Sequence, residues 1–332
     1  MPKVAVVGTT SWGTCLSIMM ARNGIDVTLW ARTSEEAEIL SKGRHNQAFL
    51  PNVDFPESLS VTCNIEKAIG PAALVILAVP SQSMRQNIRL AAPFLQPNVV
   101  IVSAAKGLEL GTLKRMTEVI GEEIPQALRS RVCALSGPNL AREIIMELPA
   151  ATAVACKDLD VAAVAQRLIM TPTFRVYTNA DVVGIELGGS LKNIIALGAG
   201  MSDGLGYGDN GKSAFITRGL TEIARLGVAA GANPLTFAGL AGMGDLIVTC
   251  ISPLSRNHFV GEQLAKGRYL QEILDSMHSV AEGVSTTVAA RDMARGLGVE
   301  MPLTEQIYCV LFEGLHPRRA VAELMLRDAR HE

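Results

Sequence analysis

Aromatic residues are scarce: Phe, Trp and Tyr make up 4% of the 332 residues, so any core must be packed by Ala, Val, Leu, Ile and Met. Six cysteines (Cys15, Cys63, Cys133, Cys156, Cys250, Cys309) lie scattered with no C-x-x-C pair. That pattern argues against a zinc site or a disulfide frame and fits reduced, buried thiols. The five histidines are equally dispersed, and no metal is expected. Excess charge is lacking too, with a formal net of -2. This argues against a nucleic-acid partner held by charge, while leaving room for local basic pockets. No apolar run approaches the ~18 residues of a membrane span, and no basic-then-apolar leader precedes the first strand. The expected setting is the cytoplasm, with no membrane span. Ser-His-Asp order, paired-carboxylate spacing and a P-loop are all missing. Asp203 and Asp209 in "DGLGYGDN" do not make the oxygen pattern of a calcium loop.

What is present is a long chain with 48% hydrophobic residues, enough to bury two cores. The first half alternates apolar β-rich runs ("KVAVVG", "DVTLW", "AALVILAVP", "NVVIVSAAKG", "VCALSGP", "ATAVAC") with helical patterns. Continuous apolar strands separated by helices indicate a parallel sheet covered on both faces. From about Asp181 helical periodicity dominates, punctuated by the glycine-rich turns "SDGLGYGDNG" and "AGMGD". The expected fold is therefore α/β, with an N-terminal Rossmann-like doubly wound sheet over residues 1–180 and a C-terminal all-helical domain over residues 181–332.

The first strand runs into Gly8 and Gly13 and then a helix, the context of a dinucleotide fingerprint. Gly8 permits the tight turn and Gly13 the close helix, but Thr10 stands where the middle glycine belongs. A β-branched residue resists positive φ, so a negative φ is expected at Thr10, with its hydroxyl or that of Thr9 contacting phosphate. A glycine turn that binds nothing would read the same. After the second strand comes Arg32, suited to a ribose 2′-phosphate or simply solvated, so NADPH is favoured over NADH. Glu35 and Glu36 read as the start of the next helix.

Polar groups in apolar or glycine-rich surroundings mark the rest of a site. Lys192 and Asn193 interrupt "ELGGSLKNIIALGAG", where a lysine could titrate near neutrality and transfer protons or merely snorkel. Asp245 and Thr249 share one helical face in "GMGDLIVTC", with Asp245 as an N-cap the plainer alternative. Ser255, Arg256 and Asn257 form a loop able to hold a phosphate. Lys106, Gly137, Asn139 and Ala141 follow strands of the first domain, where ligands of such sheets bind.

Together, "GTTSWGT", "FLPNVDFP", "AVPS", "SAAKGLE", "LSGPNLARE", "ELGGSLKNIIALGAGMSDGLGYGDN", "AGMGDLIVTCISPLSRN", "VAEGVSTT" and "MPLTEQIYCVLFEG" resemble bacterial-type NAD(P)-dependent glycerol-3-phosphate dehydrogenases, from residue 4 to about 314. The resemblance implies interconversion of dihydroxyacetone phosphate and sn-glycerol 3-phosphate, supplying phospholipid synthesis, with NADPH or NADH as cofactor and a homodimeric state. It implies cofactor contacts at Gly8, Thr10, Ser11, Trp12, Gly13, Arg32, Lys106, Ala141, Arg256 and Glu282. Substrate contacts fall at Lys106, Gly137, Asn139, Lys192, Asp245, Thr249, Ser255, Arg256 and Asn257, and Lys192 falls at the catalytic proton donor/acceptor. Thr10 and the pair Asn139-Leu140 depart from the family pattern. A non-catalytic dinucleotide sensor and a reductase of another small keto or hydroxy acid are the competing readings.

Overall fold

The structure is a computed structural model that describes residues 2–277 and 280–328; His278 and His331 lie outside the described residues. Two compact units emerge, Met1–Lys106 with Lys114–Glu186, and Gly107–Leu113 with Leu187–Glu332.

The first unit contains the strands β1 (Lys3–Val7), β2 (Asp26–Trp30), β3 (His45–Asn46), β4 (Leu50–Asp54), β5 (Leu59–Thr62), β6 (Ala72–Leu77), β7 (Val100–Ser103), β8 (Val132–Ser136), β9 (Ala150–Ala155) and β10 (Phe174–Asn179). Its helices are α1 (Ser11–Arg22), α2 (Ser34–Gly43), α3 (Ile65–Ile69), α4 (Met84–Ala91), α5 (Met116–Glu123), α6 (Ala141–Ile145) and α7 (Leu159–Ile169). Eight strands form one sheet in the order β10-β9-β8-β7-β6-β1-β2-β5. Side chains alternate across it. Val4, Val6, Leu74 and Ile76 enter one buried cluster with Leu16 and Met20 of α1. Ala5, Val7, Val75 and Leu77 enter another with Ile88 of α4 and Ile120 of α5. That two-sided burial is the doubly wound arrangement expected from the unbroken apolar strands.

One expectation needs correcting: β8 and β9 pair antiparallel, Leu135 opposite Val154. The linker between them, residues 137–149, carries only the five-residue α6, which does not make the full crossover a parallel return requires. Beyond it, β9 and β10 are joined through α7 and are parallel again.

The next helix, α8 (Val182–Leu205), leads into the second unit, which continues with α9 (Gly208–Ala229), α10 (Asp245–Ile251), α11 (Arg256–Ala265), α12 (Leu270–Asp275), α13 (Glu282–Gly296), α14 (Pro302–Phe312) and α15 (Pro317–Met325). By length and composition α8 could cross a membrane, contrary to the expectation of no such run. Yet 89% of its apolar window is buried within the protein, as in a core helix. The "SDGLGYGDNG" segment is also less open than expected. Asp203 still belongs to α8 and Asp209 to α9, leaving only Gly206 and Tyr207 between the helices.

Candidate active site

The turn after β1 is built by packing. Gly8 has φ 112°, a conformation that excludes larger residues. A methyl at Gly13 would fall 2.1 Å from the Gly8 carbonyl oxygen, so both glycines let α1 seat against the strand end. Thr10 has φ −61° and ψ 166° and is the N-cap of α1. Its hydroxyl oxygen accepts the Gly13 N–H at 3.2 Å and donates its proton to the Ala78 carbonyl at 2.8 Å, beyond β6. The neighbouring Thr9 hydroxyl donates to Glu36. The hydroxyls of Thr9 and Thr10, one or other of which is expected to meet a phosphate, thus give their protons to protein acceptors in this structure. The N–H groups of Ser11 and Trp12, in the first turn of α1, have no intrahelical acceptor by position and suit an anion. Trp12 sets its ring edge-on to Phe174, centroids 6.1 Å apart, and its buried indole N–H has no partner.

These groups gather where β1 lies between β2 and β6, the point at which the chain switches direction and ligands bind. Arg32 is exposed at the end of β2. Lys106, past β7, donates from Nζ to the Gly137 carbonyl at 2.9 Å, past β8. Gly137 itself packs so tightly on Thr152 that a Cβ would approach its Cα to 2.8 Å. Asn139 donates to the Thr152 hydroxyl at 3.1 Å, while its carbonyl oxygen is buried without a partner. Ala141 opens α6, its carbonyl accepting from the Cys15 thiol at 3.4 Å. A glycine cradle, a helix start and two orphaned buried polar atoms fit a dinucleotide.

In the second unit, one buried polar centre stands out. Gly188, on α8, lies so close to Ala241 that a Cβ would reach its carbonyl oxygen at 2.8 Å. Ala241 belongs to a π-helical turn, Leu240–Gly244, that runs directly into α10. One helical turn beyond that contact, on each partner, stand Lys192 and Asp245. Lys192 Nζ donates to Asp245 Oδ1 at 2.7 Å and to Thr249 Oγ1 at 2.5 Å. The Thr249 hydroxyl donates in turn to the Asp245 carbonyl at 2.6 Å. Lys192 is 6% exposed and Asp245 1%, so the pair is withdrawn from water and the plain surface-lysine alternative fails. Asp245 is the first residue of α10, with Gly244 as the cap position, so the N-cap alternative fails as well. Burial pushes the nearby Cys250 thiol up to about 12, with Lys192 opposing, so the thiol stays protonated.

The α11 segment reaches the same helix. Gly200 of α8 would carry a Cβ 2.0 Å from the His258 carbonyl oxygen, and this close approach fixes the start of α11 beside α8. Asn257 donates to Asn193 Oδ1 at 3.0 Å and accepts the Gly283 N–H at 2.9 Å. Ser255 is the N-cap of α11, its oxygen accepting the His258 N–H at 3.2 Å, a structural role alongside the expected one. Arg256 follows it, retaining solvent access. Partial desolvation by the surrounding protein makes its guanidinium less basic than usual, and the opposite charge of Glu282 works against that shift.

Two groups were not among the expected contacts. Asn193, to which the sequence assigns no role, ties Lys192's helix to Asn257. From its local sequence Glu36 is a helix starter only. It is that, since Thr33 caps α2 through the Glu36 N–H, but its carboxylate crosses to the glycine loop, a contact 27 residues apart that no local spacing reveals.

Comparison with known proteins follows the same division. A family model described as NAD-dependent glycerol-3-phosphate dehydrogenase N-terminus matches residues 3–162, and the corresponding C-terminus model matches residues 181–322. A glycerol-3-phosphate dehydrogenase (NAD(P)+) of Dehalococcoides mccartyi is 56% identical over 100% of this chain and 93% of the relative. One from Geobacter metallireducens is 50% identical over 99% and 98% respectively. The crystal structure of glycerol-3-phosphate dehydrogenase from Coxiella burnetii superposes with a TM-score of 0.92 at 35% identity, covering 98% of this chain and 99% of that one.

Proposed function

This chain belongs to the NAD-dependent glycerol-3-phosphate dehydrogenase family, and from that premise we propose how its residues divide the work. The reaction is the interconversion of dihydroxyacetone phosphate and sn-glycerol 3-phosphate with NADH or NADPH, supplying glycerol 3-phosphate for phospholipid synthesis. The buried Lys192–Asp245–Thr249 centre carries the assignment.

Lys192 is the catalytic acid/base. In the reducing direction its ammonium donates a proton to the oxygen of the substrate's central carbon as the carbonyl becomes an alkoxide. In the oxidising direction the neutral amine removes the hydroxyl proton. Asp245 keeps the ammonium charged and aimed, and Thr249 fixes its rotamer. A positioned proton donor of this kind contributes roughly 10²–10⁴-fold to rate, and its cationic field stabilises the alkoxide in a site with little water. Arg256, Asn257 and Ser255 at the start of α11 hold the substrate phosphate, Arg256 by charge and the others by hydrogen bonds. Binding energy gathered there, away from the reacting carbon, fixes its position. In the first unit Lys106, Gly137 and Asn139 offer further polar contacts to substrate. Gly8, Thr10, Ser11, Trp12, Gly13, Arg32 and Ala141 form the dinucleotide cradle; Glu282 and Arg256 are further cofactor contacts by resemblance to the family. The chemistry supplied by a bound dinucleotide is hydride transfer to or from carbon.

Absorbance at 340 nm, followed with dihydroxyacetone phosphate and either cofactor, tests the assignment. Wild-type enzyme is expected to turn over, and unphosphorylated dihydroxyacetone to be a far poorer substrate. Lys192→Met should abolish turnover while dinucleotide still binds; surviving turnover would remove Lys192 from the acid role.

A homodimer in the cytoplasm completes the proposal. Free cysteines suit a reducing compartment. Ile247 and Ile251, exposed at 44% and 56% on the outer face of α10, offer apolar surface for a second copy. Light scattering on the purified protein measures the oligomeric state directly.

A further inference from the structure

Glu36 occupies the third position of α2, where an acid ordinarily closes a capping box by accepting the N–H of the cap residue itself. Here the carboxylate does something else. Its Oε2 accepts the Arg32 N–H at 3.1 Å, one residue before the cap, and its Oε1 accepts the Thr9 hydroxyl. Thr9 is itself braced, since its carbonyl accepts from Asn46 Nδ2 at 2.9 Å and from the Thr14 hydroxyl at 3.2 Å. Asn46 is 4% exposed and also donates to Thr14 Oγ1 at 2.8 Å. The Glu36 carboxylate is therefore anchored between the carboxyl end of β2 and the glycine loop after β1.

In a sheet of this kind, that place receives the adenosine ribose of a dinucleotide. An ionised carboxylate has about four acceptor sites; Thr9 and Arg32 occupy two, leaving sites for the 2′- and 3′-hydroxyls. A 2′-phosphate would instead meet a fixed negative charge at short range. Arg32 favours the phosphate, but its exposed side chain must lose rotamer freedom to reach it, whereas the carboxylate is already ordered. We propose that Glu36 is a specificity-determining residue that accepts from the ribose hydroxyls and makes this chain bind NADH more tightly than NADPH, with Thr9 as its positioning residue. The proposal rests on the reading of residues 8–13 as the dinucleotide loop.

Isothermal titration calorimetry of the purified full chain with NADH and with NADPH tests it by affinity, independently of turnover. For wild type, Kd for NADPH should exceed that for NADH by about tenfold or more, and Glu36→Gln should shrink the ratio about tenfold, chiefly by tightening NADPH. Thr9→Val, which removes the hydroxyl and keeps the shape, should weaken NADH while changing NADPH less. Circular dichroism verifies that each variant folds. Should Glu36→Gln not fold, wild type titrated with ADP-ribose and with 2′-phospho-ADP-ribose asks the same question without a variant, and the unphosphorylated ligand should bind more tightly. Equal or tighter binding of the 2′-phosphorylated ligand by wild type, or an unchanged ratio in Glu36→Gln, overturns the proposal. Wild type that binds neither dinucleotide would refute the loop reading, and the proposal with it.

Discussion

At the scale of single residues, the site depends on charges that are paired before any substrate arrives. Lys192 and Asp245 are both nearly inaccessible and joined at 2.7 Å. Removing one charge leaves the other stranded, which costs about 3–5 kcal/mol in a buried pair. Asp245→Asn keeps the shape but withdraws the counter-ion, so the ammonium loses the group that holds it charged. We expect kcat to fall by roughly 10²–10³-fold, the pH profile of kcat to move, and NADH affinity to stay near the wild-type value. Steady-state kinetics across pH, with calorimetric binding alongside, measures all three. Lys192 and Asp245 were each recognisable in the sequence as odd polar residues in apolar company. That Asp245 orients the lysine follows from the reaction the resemblance implies; local spacing carries no sign of it, because the contact joins positions 53 residues apart through the packing of Gly188 on Ala241. Thr9 and Glu36 escaped for the same reason: hydroxyl and carboxylate are both ordinary residues of their own local motifs.

At the scale of elements, Thr10 shows how a motif can lose its expected residue and keep its geometry. The position takes a negative φ and serves α1 as an N-cap, a task that threonine performs about as well as glycine. Thr10→Ala should therefore cost about 1–2 kcal/mol of stability, through loss of the cap and of the tether to Ala78. NADH affinity should change by less than about threefold. Urea denaturation and calorimetry separate the two effects; a collapse in affinity would show that the hydroxyl does reach the phosphate. Gly188→Ala probes the buried polar centre of the second unit. A Cβ 2.8 Å from the Ala241 carbonyl must push α8 from the π turn, costing about 1–3 kcal/mol. It should lower kcat more than it raises KM, since Lys192 and Asp245 lie one turn beyond. The strands were read from the sequence because, buried on both faces, they are nearly all apolar. β5 (LSVT) and β10 (FRVYTN) went unseen as edge strands with polar, half-exposed faces. The antiparallel sense of β8 and β9 is likewise absent from an apolar pattern, which carries no direction.

At the scale of the whole molecule, stability depends on a carboxyl group far from the chemistry in sequence and role. Glu222, on α9 and 4% exposed, accepts the Leu303 N–H at 2.6 Å and the Thr304 N–H at 3.2 Å, capping α14 from another helix. Burial pushes its carboxyl from 4.5 up to about 7, with the Leu303 and Thr304 hydrogen bonds opposing. The folded state thus binds this proton more tightly than the unfolded chain does. Its contribution is complete below about pH 4.5 and is lost as pH rises through about 7, amounting to about 3 kcal/mol at most. Relative to Glu222→Gln, wild type should lose stability between pH 4.5 and pH 8, as read from urea midpoints; a difference independent of pH would show that the group titrates normally. The π turn at Leu240–Gly244 adds a constraint of another kind. Closed by the Gly244 N–H on the Gly239 carbonyl at 3.1 Å, it holds one residue more than an α turn between the same two bonded ends. Helical phase after it is therefore set by residue count, at about 100° per residue. Deleting any one of those five residues would leave the composition almost untouched yet turn Asp245 and Thr249 together away from Lys192, so the length of this short segment is itself part of the proposed catalytic apparatus.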